Sequence, residues 1–181
     1  MSTLTGKVAV ITGRNSGIGF ATAKRFVEEG AYVFITARRQ AELDKAVSVI
    51  GKNVTAIRSD LAKIEDIDGI AAAVRSKQGV VDIIVSNAGF TGQAPLETLT
   101  PEQFDRTFNL MARAPVFFAQ KLLPLMKRGG SIILVSSAMH LMGIPNLRLM
   151  RRPRRQIDPM PAHGRRNSRA GVSGSILLVR A

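Results

Sequence analysis

The chain has 181 residues, 45% of them hydrophobic, which suffices for one domain with a substantial core and excludes a disordered polymer. It holds no cysteine and only two histidines, His140 and His163, so a disulfide scaffold, a thiolate or histidine-rich metal site and a cysteine nucleophile are excluded, and no metal is expected. The net charge of +13 is unevenly spread: residues 1–146 carry +5, whereas residues 147–181 carry +8 from nine arginines, no lysine and one acid, Asp158.

The opening Met1-Ser2-Thr3-Leu4-Thr5-Gly6-Lys7 has no apolar signal core. No apolar run reaches the roughly 18 residues of a membrane span, so a cytoplasmic protein without membrane association is expected. Val8–Ile11 is a short apolar run that ends at Thr12-Gly13, the pattern of a buried parallel strand. A helix follows from Gly17 to Gly30, with Ile18, Ala21, Phe26 and Val27 near one face. Tyr32–Ile35 reads as a second strand, and Leu43, Ala46, Val47 and Ile50 stripe a second helix.

The alternation continues with a strand at Val54–Ile57 and a helix striped by Ile64, Ile67, Ile70, Ala71 and Val74. A fourth strand is expected at Asp82–Val85. Thr100-Pro101-Glu102-Gln103 is a helix start, with threonine as cap, proline at the first position and Gln103 closing a capping box. Phe104 and Phe108 are expected to face the core. An apolar helix then spans about Ala114 to Met126, with Pro124 tightening its end, before a fifth strand at Ser131–Val135. Apolar strands alternating with helices predict an α/β fold: a doubly wound parallel sheet of the Rossmann type, covered by helices on both faces.

Chemistry concentrates at the strand ends. The first strand runs into Thr12-Gly13-Arg14-Asn15-Ser16-Gly17-Ile18-Gly19, which opens the first helix. Such glycines permit a tight turn and close approach to a pyrophosphate, and the helix N-terminus offers unpaired N–H donors. After the second strand stands Ala37-Arg38-Arg39, with no acid before Glu42. An acid there suits a ribose 2′-hydroxyl and a cation suits a 2′-phosphate, so NADP(H) is favoured and NAD(H) remains an alternative.

The Thr12-Gly-x-x-x-Gly-Ile-Gly19 pattern, Asp60-Leu61 after the third strand and Asn87-Ala88-Gly89 after the fourth resemble the short-chain dehydrogenase/reductase family over residues 5 to about 146. The run 36–44 together with 130–134 is most similar to its glucose 1-dehydrogenase-like subgroup. The resemblance implies hydride transfer between NADP(H) and a small carbonyl or secondary-alcohol substrate, with Asp60 at the adenine amino group. It implies that Asn87, Ala88 and Gly89 border the cofactor and steady the sheet. Asn109 matches the family's catalytic-helix asparagine, and Ser137, at the end of the fifth strand, its substrate-orienting serine.

The family's proton donor is a tyrosine with a lysine four residues later. Here the only tyrosine is Tyr32, inside the second strand, and the last lysine is Lys127, so the pair is absent. An offset reading frame supplies a reason. From Leu149 onward, degenerate codons allow the third base of each codon and the first two of the next to read Tyr-Ala-Ala-Thr-Lys-Ala-Ala. Through Ala181 they allow Arg-Val-Asn-Thr-Leu-Ser-Pro-Gly, both in the family's order. A one-base deletion near codon 146 produces this offset and returns a tyrosine thirteen positions after Ser137, the spacing that selects Ser137 over Ser136.

Two domains of composition are therefore expected: an NADP(H)-binding domain over 1–146, incomplete on its C-terminal side, and an irregular out-of-frame tail over 147–181. The fifth strand then becomes an exposed apolar edge and an aggregation hazard, with pairing by Ile176–Val179 as the alternative. The family homotetramer is in doubt, because its interface uses the missing helix. The chain is expected to be catalytically inactive. The alternatives are a non-catalytic dinucleotide-binding pseudoenzyme and a basic-tailed nucleic-acid binder. Arg151-Arg152-Pro153-Arg154-Arg155 lacks interleaved aromatics for base stacking, so no specific nucleic acid is expected as partner.

Overall fold

The computed structural model describes residues 2–13, 17–89, 96–136 and the strand 176–180. In chain order it runs β1 (Val8–Thr12), α1 (Ile18–Glu28), β2 (Tyr32–Ala37), α2 (Gln40–Ile50), β3 (Val54–Arg58), α3 (Ile64–Lys77) and β4 (Val81–Ser86). A 3₁₀ turn at Leu96–Thr98 then leads to α4 (Pro101–Phe108), a π-helical segment Asn109–Arg113, α5 (Ala114–Leu122), β5 (Met126–Val135) and β6 (Ile176–Arg180). The strands lie in the order β3-β2-β1-β4-β5-β6. All neighbours are parallel except β5 and β6.

The unbroken apolar runs follow from burial on both faces. Along β1, Val8 and Val10 join a cluster with Ile67, Ile70 and Val74 of α3 and Phe118 and Leu122 of α5. Ala9 and Ile11 point the other way, toward Ala23 of α1 and Leu43 and Ala46 of α2. With period-2 side chains, a strand flanked by helices on both sides has no face left for polar residues.

Among the buried polar groups of this frame, Asp82 is closely paired. Asp82, 5% exposed, accepts from the Val8 amide at 3.0 Å and from Lys7 Nζ at 3.1 Å, which ties the amino ends of β1 and β4 together. Burial pushes this carboxyl up. The Val8 hydrogen bond, the Lys7 bond and charge, and the charge of Lys127 outweigh it and hold Asp82 below the ordinary carboxylate value.

Helix α4 begins with the expected capping box: Gln103 N–H donates to Thr100 Oγ1 at 3.3 Å and Thr100 N–H donates to Gln103 Oε1 at 3.1 Å. Phe104 and Phe108 do not face the core. They are 42% and 48% exposed and stack on each other, ring centroids 4.4 Å apart. α4 buries no residue, so these rings, one helical turn apart, shelter one another instead.

Two further expectations change. The apolar helix ends at Leu122, Pro124 lies in a 3₁₀ turn at Leu123–Leu125, and Met126 already belongs to β5. The register with β4 jumps from Val81–Met126 to Ile83–Ser131, so the segment 127–130 bulges between them. The fifth strand is not an open edge either. Ile176–Arg180 lies antiparallel on it, from Ser131–Arg180 to Val135–Ile176, so these five tail residues form a strand. Unpaired backbone groups along β5 need partners, and a short apolar segment supplies them.

Candidate functional site

The carboxyl ends of β1 to β4 surround a cleft of about 600 Å³. It opens beside β1 and β4, where the winding of the sheet reverses, the place at which open α/β sheets bind ligands.

Its floor is a clamp between two strand ends. Thr12, fully buried at the end of β1, accepts from the amides of Asn87 at 3.0 Å and Ala88 at 3.1 Å. In return Asn87 Nδ2 donates to the carbonyls of Thr12 at 3.1 Å and Gly13 at 2.6 Å. Gly13 comes next with φ 71°, and a Cβ there would fall on the Ala88 backbone. Gly17 heads α1 with φ 68° and ψ −140°, a conformation that side chains avoid, and a Cβ on it would meet nothing within 4 Å among the described residues. A Cβ on Gly19 would lie 2.5 Å from Asn87 Nδ2, so α1 packs tightly onto the same clamp.

The sequence-predicted residues Gly13, Ile18, Arg38, Arg39, Asp60, Leu61, Asn87, Ala88 and Gly89 all line the cleft. Asp60 Oδ1 accepts from the Ala62 amide at 3.1 Å, and the Asp60 amide donates to Asp66 Oδ2 at 2.6 Å, which fixes the loop that presents the carboxylate. Arg14, Asn15, Ser16 and Ser137 lie outside the described residues. Asn109 opens the π-helical segment and is not part of the lining. Its neighbours Arg106 and Leu110 face the cleft instead, and Met111 Sδ lies 3.2 Å from where a Gly89 Cβ would sit.

Sequence reasoning did not single out Arg106, Leu110, Thr36 or Ser59, which also line the cleft, nor the hydroxyl of Thr12. The four-residue spacing of Arg106 and Leu110 is the signal that places both on one helical face.

The arrangement fits a dinucleotide. Among the lining residues three are arginines and one is an acid, Asp60. Two buried hydroxyls there, Thr36 Oγ1 and Ser59 Oγ, have no hydrogen-bond partner among the described residues. The head of α1 presents Gly17 with no atom of the described residues within 4 Å of its Cβ position, which suits a phosphate on a helix N-terminus. Tyr32 is at the opposite end of the sheet. It pairs in register with Val8, and its hydroxyl shares a hydrogen bond with Thr55 Oγ1 at 2.6 Å. Lys127 lies at the amino end of β5, also away from the cleft.

The short chain dehydrogenase family matches residues 7–149, and the chain belongs to it. Oxidoreductase asL5 of Sarocladium schorii is 46% identical over 146 residues, which are 80% of this chain and 59% of that protein. Among solved structures, 3-ketoacyl-(acyl-carrier-protein) reductase from Brucella melitensis, complexed with NADH, is 36% identical with a TM-score of 0.77 and covers 82% of this chain and 64% of that one. L-Sorbose reductase from Gluconobacter frateurii, complexed with NADPH and L-sorbose, is 32% identical with a TM-score of 0.78, over 82% and 59% of the two chains. The chain thus spans less than two thirds of the length of each of these proteins. No helix among the described residues is long and apolar enough to cross a membrane.

Proposed function

We propose that this chain is the dinucleotide-holding part of an NADP(H)-dependent oxidoreductase whose lineage acts on a carbonyl or secondary alcohol, and that it binds the cofactor without turning substrate over. The observation that carries the reading is the lining of the cleft: Arg38 and Arg39 at the end of β2, Asp60 after β3, and neither tyrosine nor lysine among the described lining residues.

Bound NADP(H) supplies the hydride chemistry, and the protein supplies orientation. Gly13, Gly17 and the N-terminus of α1 receive the pyrophosphate. Arg38 and Arg39 neutralise the 2′-phosphate, which an acid at that place would repel. Asp60 accepts from the adenine amino group, and Asn87 holds β1 and β4 at the separation the cofactor needs. Proton transfer to the substrate oxygen lacks its donor, because Tyr32 is held in β2 and Lys127 lies at the far end of the sheet.

We attribute that lack to an out-of-frame reading from about codon 146. The family match ends at residue 149, well before Ala181, and the arginine-rich, lysine-free composition starts at the same place. The glucose 1-dehydrogenase-like subgroup and a cytoplasmic location are part of the same proposal.

Titration with NADPH and NADH, followed by nicotinamide fluorescence, tests the binding. NADPH is expected to bind at least tenfold more tightly, and equal affinities refute the preference. A panel of aldehydes, ketones and sugars with NADPH is expected to give no turnover. Turnover abolished by Ser137→Ala refutes the inactivity. Resequencing the coding DNA from about codon 130 decides the frame: a restored base returns the tyrosine and lysine, and a confirmed shift leaves a binding relic.

A further inference from the structure

We infer that Thr36 and Ser59 are further specificity-determining residues of the cleft, whose hydroxyls donate to the 2′-phosphate of the dinucleotide beside Arg38 and Arg39. The inference rests on the NADP(H) reading and extends it to two residues outside the glycine-rich motif and the basic pair.

Thr36 is 1% exposed and Ser59 is 4% exposed, and both line the cleft. Their hydroxyl oxygens are the buried side-chain atoms without a hydrogen-bond partner among the described residues. Buried hydroxyls are rarely left unpaired, because desolvation is then uncompensated. Both orphans fall in one corner of one cleft. Thr36 is two residues before Arg38 on β2, and the Ser59 amide, just past β3, donates to the carbonyl of Ala37 at 2.9 Å. The two adjacent strand ends thus bring two neutral donors up to two cationic ones.

The chemistry of the corner selects its ligand. A ribose 2′-hydroxyl is best held by a carboxylate that accepts from it, and no acid lies between Thr36 and Glu42. A phosphate carries acceptor oxygens only, and it matches a set made of guanidinium groups and hydroxyls. The Ser59 hydroxyl reaches three staggered positions by rotation about one bond, so it can turn to the ligand without backbone movement.

The test uses the full chain with Ser59→Ala and Thr36→Val, singly, each titrated with NADPH, NADH and 2′,5′-ADP, and each unfolded in urea without ligand. Each substitution is expected to weaken NADPH and 2′,5′-ADP about five- to tenfold, the effect of one charge-assisted hydrogen bond, and to change NADH less than about twofold. The unliganded variants are expected to be as stable as the parent or more so, since an unpaired hydroxyl has gone. An NADPH preference that persists unchanged in both variants overturns this inference and leaves the NADP(H) reading standing. Equal losses for NADPH and NADH also overturn it. A parent chain that binds neither dinucleotide overturns both.

Discussion

Replacing Thr12 with valine keeps the shape of the side chain and removes one oxygen. That oxygen accepts two backbone amides, from Asn87 and Ala88, at 3.0 and 3.1 Å. A buried amide without an acceptor costs about 1–3 kcal/mol. Both residues are only partly buried, so water relieves some of this and the lower half of the range applies to each. The added buried methyl of valine returns about 1 kcal/mol. The net loss expected for Thr12→Val is about 1–3 kcal/mol, read as a lower urea midpoint with unchanged slope. Thr12→Ser separates the hydrogen bonds from packing, because it loses a methyl and keeps the acceptor. Amide hydrogen exchange at Asn87 and Ala88 is expected to accelerate in the valine variant and to stay slow in the serine variant. Dinucleotide affinity should fall with valine alone, since the clamp sets the floor of the cleft. Unchanged midpoint and unchanged exchange at both amides in Thr12→Val would refute the clamp.

Two further outcomes concern the opposite end and the edge of the sheet. Asp82→Asn should cost about 1–2 kcal/mol at pH 7, the lower part of the range for a charged hydrogen bond, because Lys7 is half exposed and stays solvated. The Asp82 pKa is depressed in the folded state, so its contribution is full above the unfolded value near 3.8 and disappears as pH falls through the folded one. Urea midpoints from pH 7 to pH 3 should therefore drop less steeply for Asp82→Asn than for the parent, and parallel profiles would contradict the pairing. The double substitution Leu178→Pro with Val179→Pro, opposite Ile133 and Ile132, removes one ladder amide of β6, because successive residues of an antiparallel strand alternate between bonding the partner and facing away. It should speed exchange of β5 amides and promote aggregation seen by light scattering, and Leu178→Thr should do neither.

Much of the fold was legible because burial on both faces leaves an unmistakable trace: Val8–Ile11 and Tyr32–Ile35 have no polar position for a solvent face. Thr100 and Gln103 were equally readable, since a capping box is a local event. Phe104 and Phe108 were misread for a general reason. Periodicity states that two side chains share a face, and it says nothing about what covers that face. Arg106 and Leu110 were passed over for a related reason: their four-residue spacing marks one helical face, and only the assembled cleft says what that face meets. The hydroxyls of Thr12, Thr36 and Ser59 were silent because their meaning depends on strands far apart in sequence becoming neighbours. The apolar character of Ile176–Val179 and the edge it could pair with were visible, but its direction is decided only by the assembled sheet.

The antiparallel placement of β6 bears on how such a sheet tolerates change. Its partner β5 asks for backbone donors and acceptors at regular spacing, a demand that almost any short apolar segment meets. The central strands are constrained quite differently, since each residue of β1 must fit between two layers of helices and end at Gly13 in contact with Ala88. The segment Ile176–Arg180 lies outside the stretch matched by the family and is nonetheless accepted by the sheet. Change in this architecture is tolerated at the rim: a segment beyond the family's matched stretch is seated there as a strand, while the centre keeps the packing that shapes the cleft.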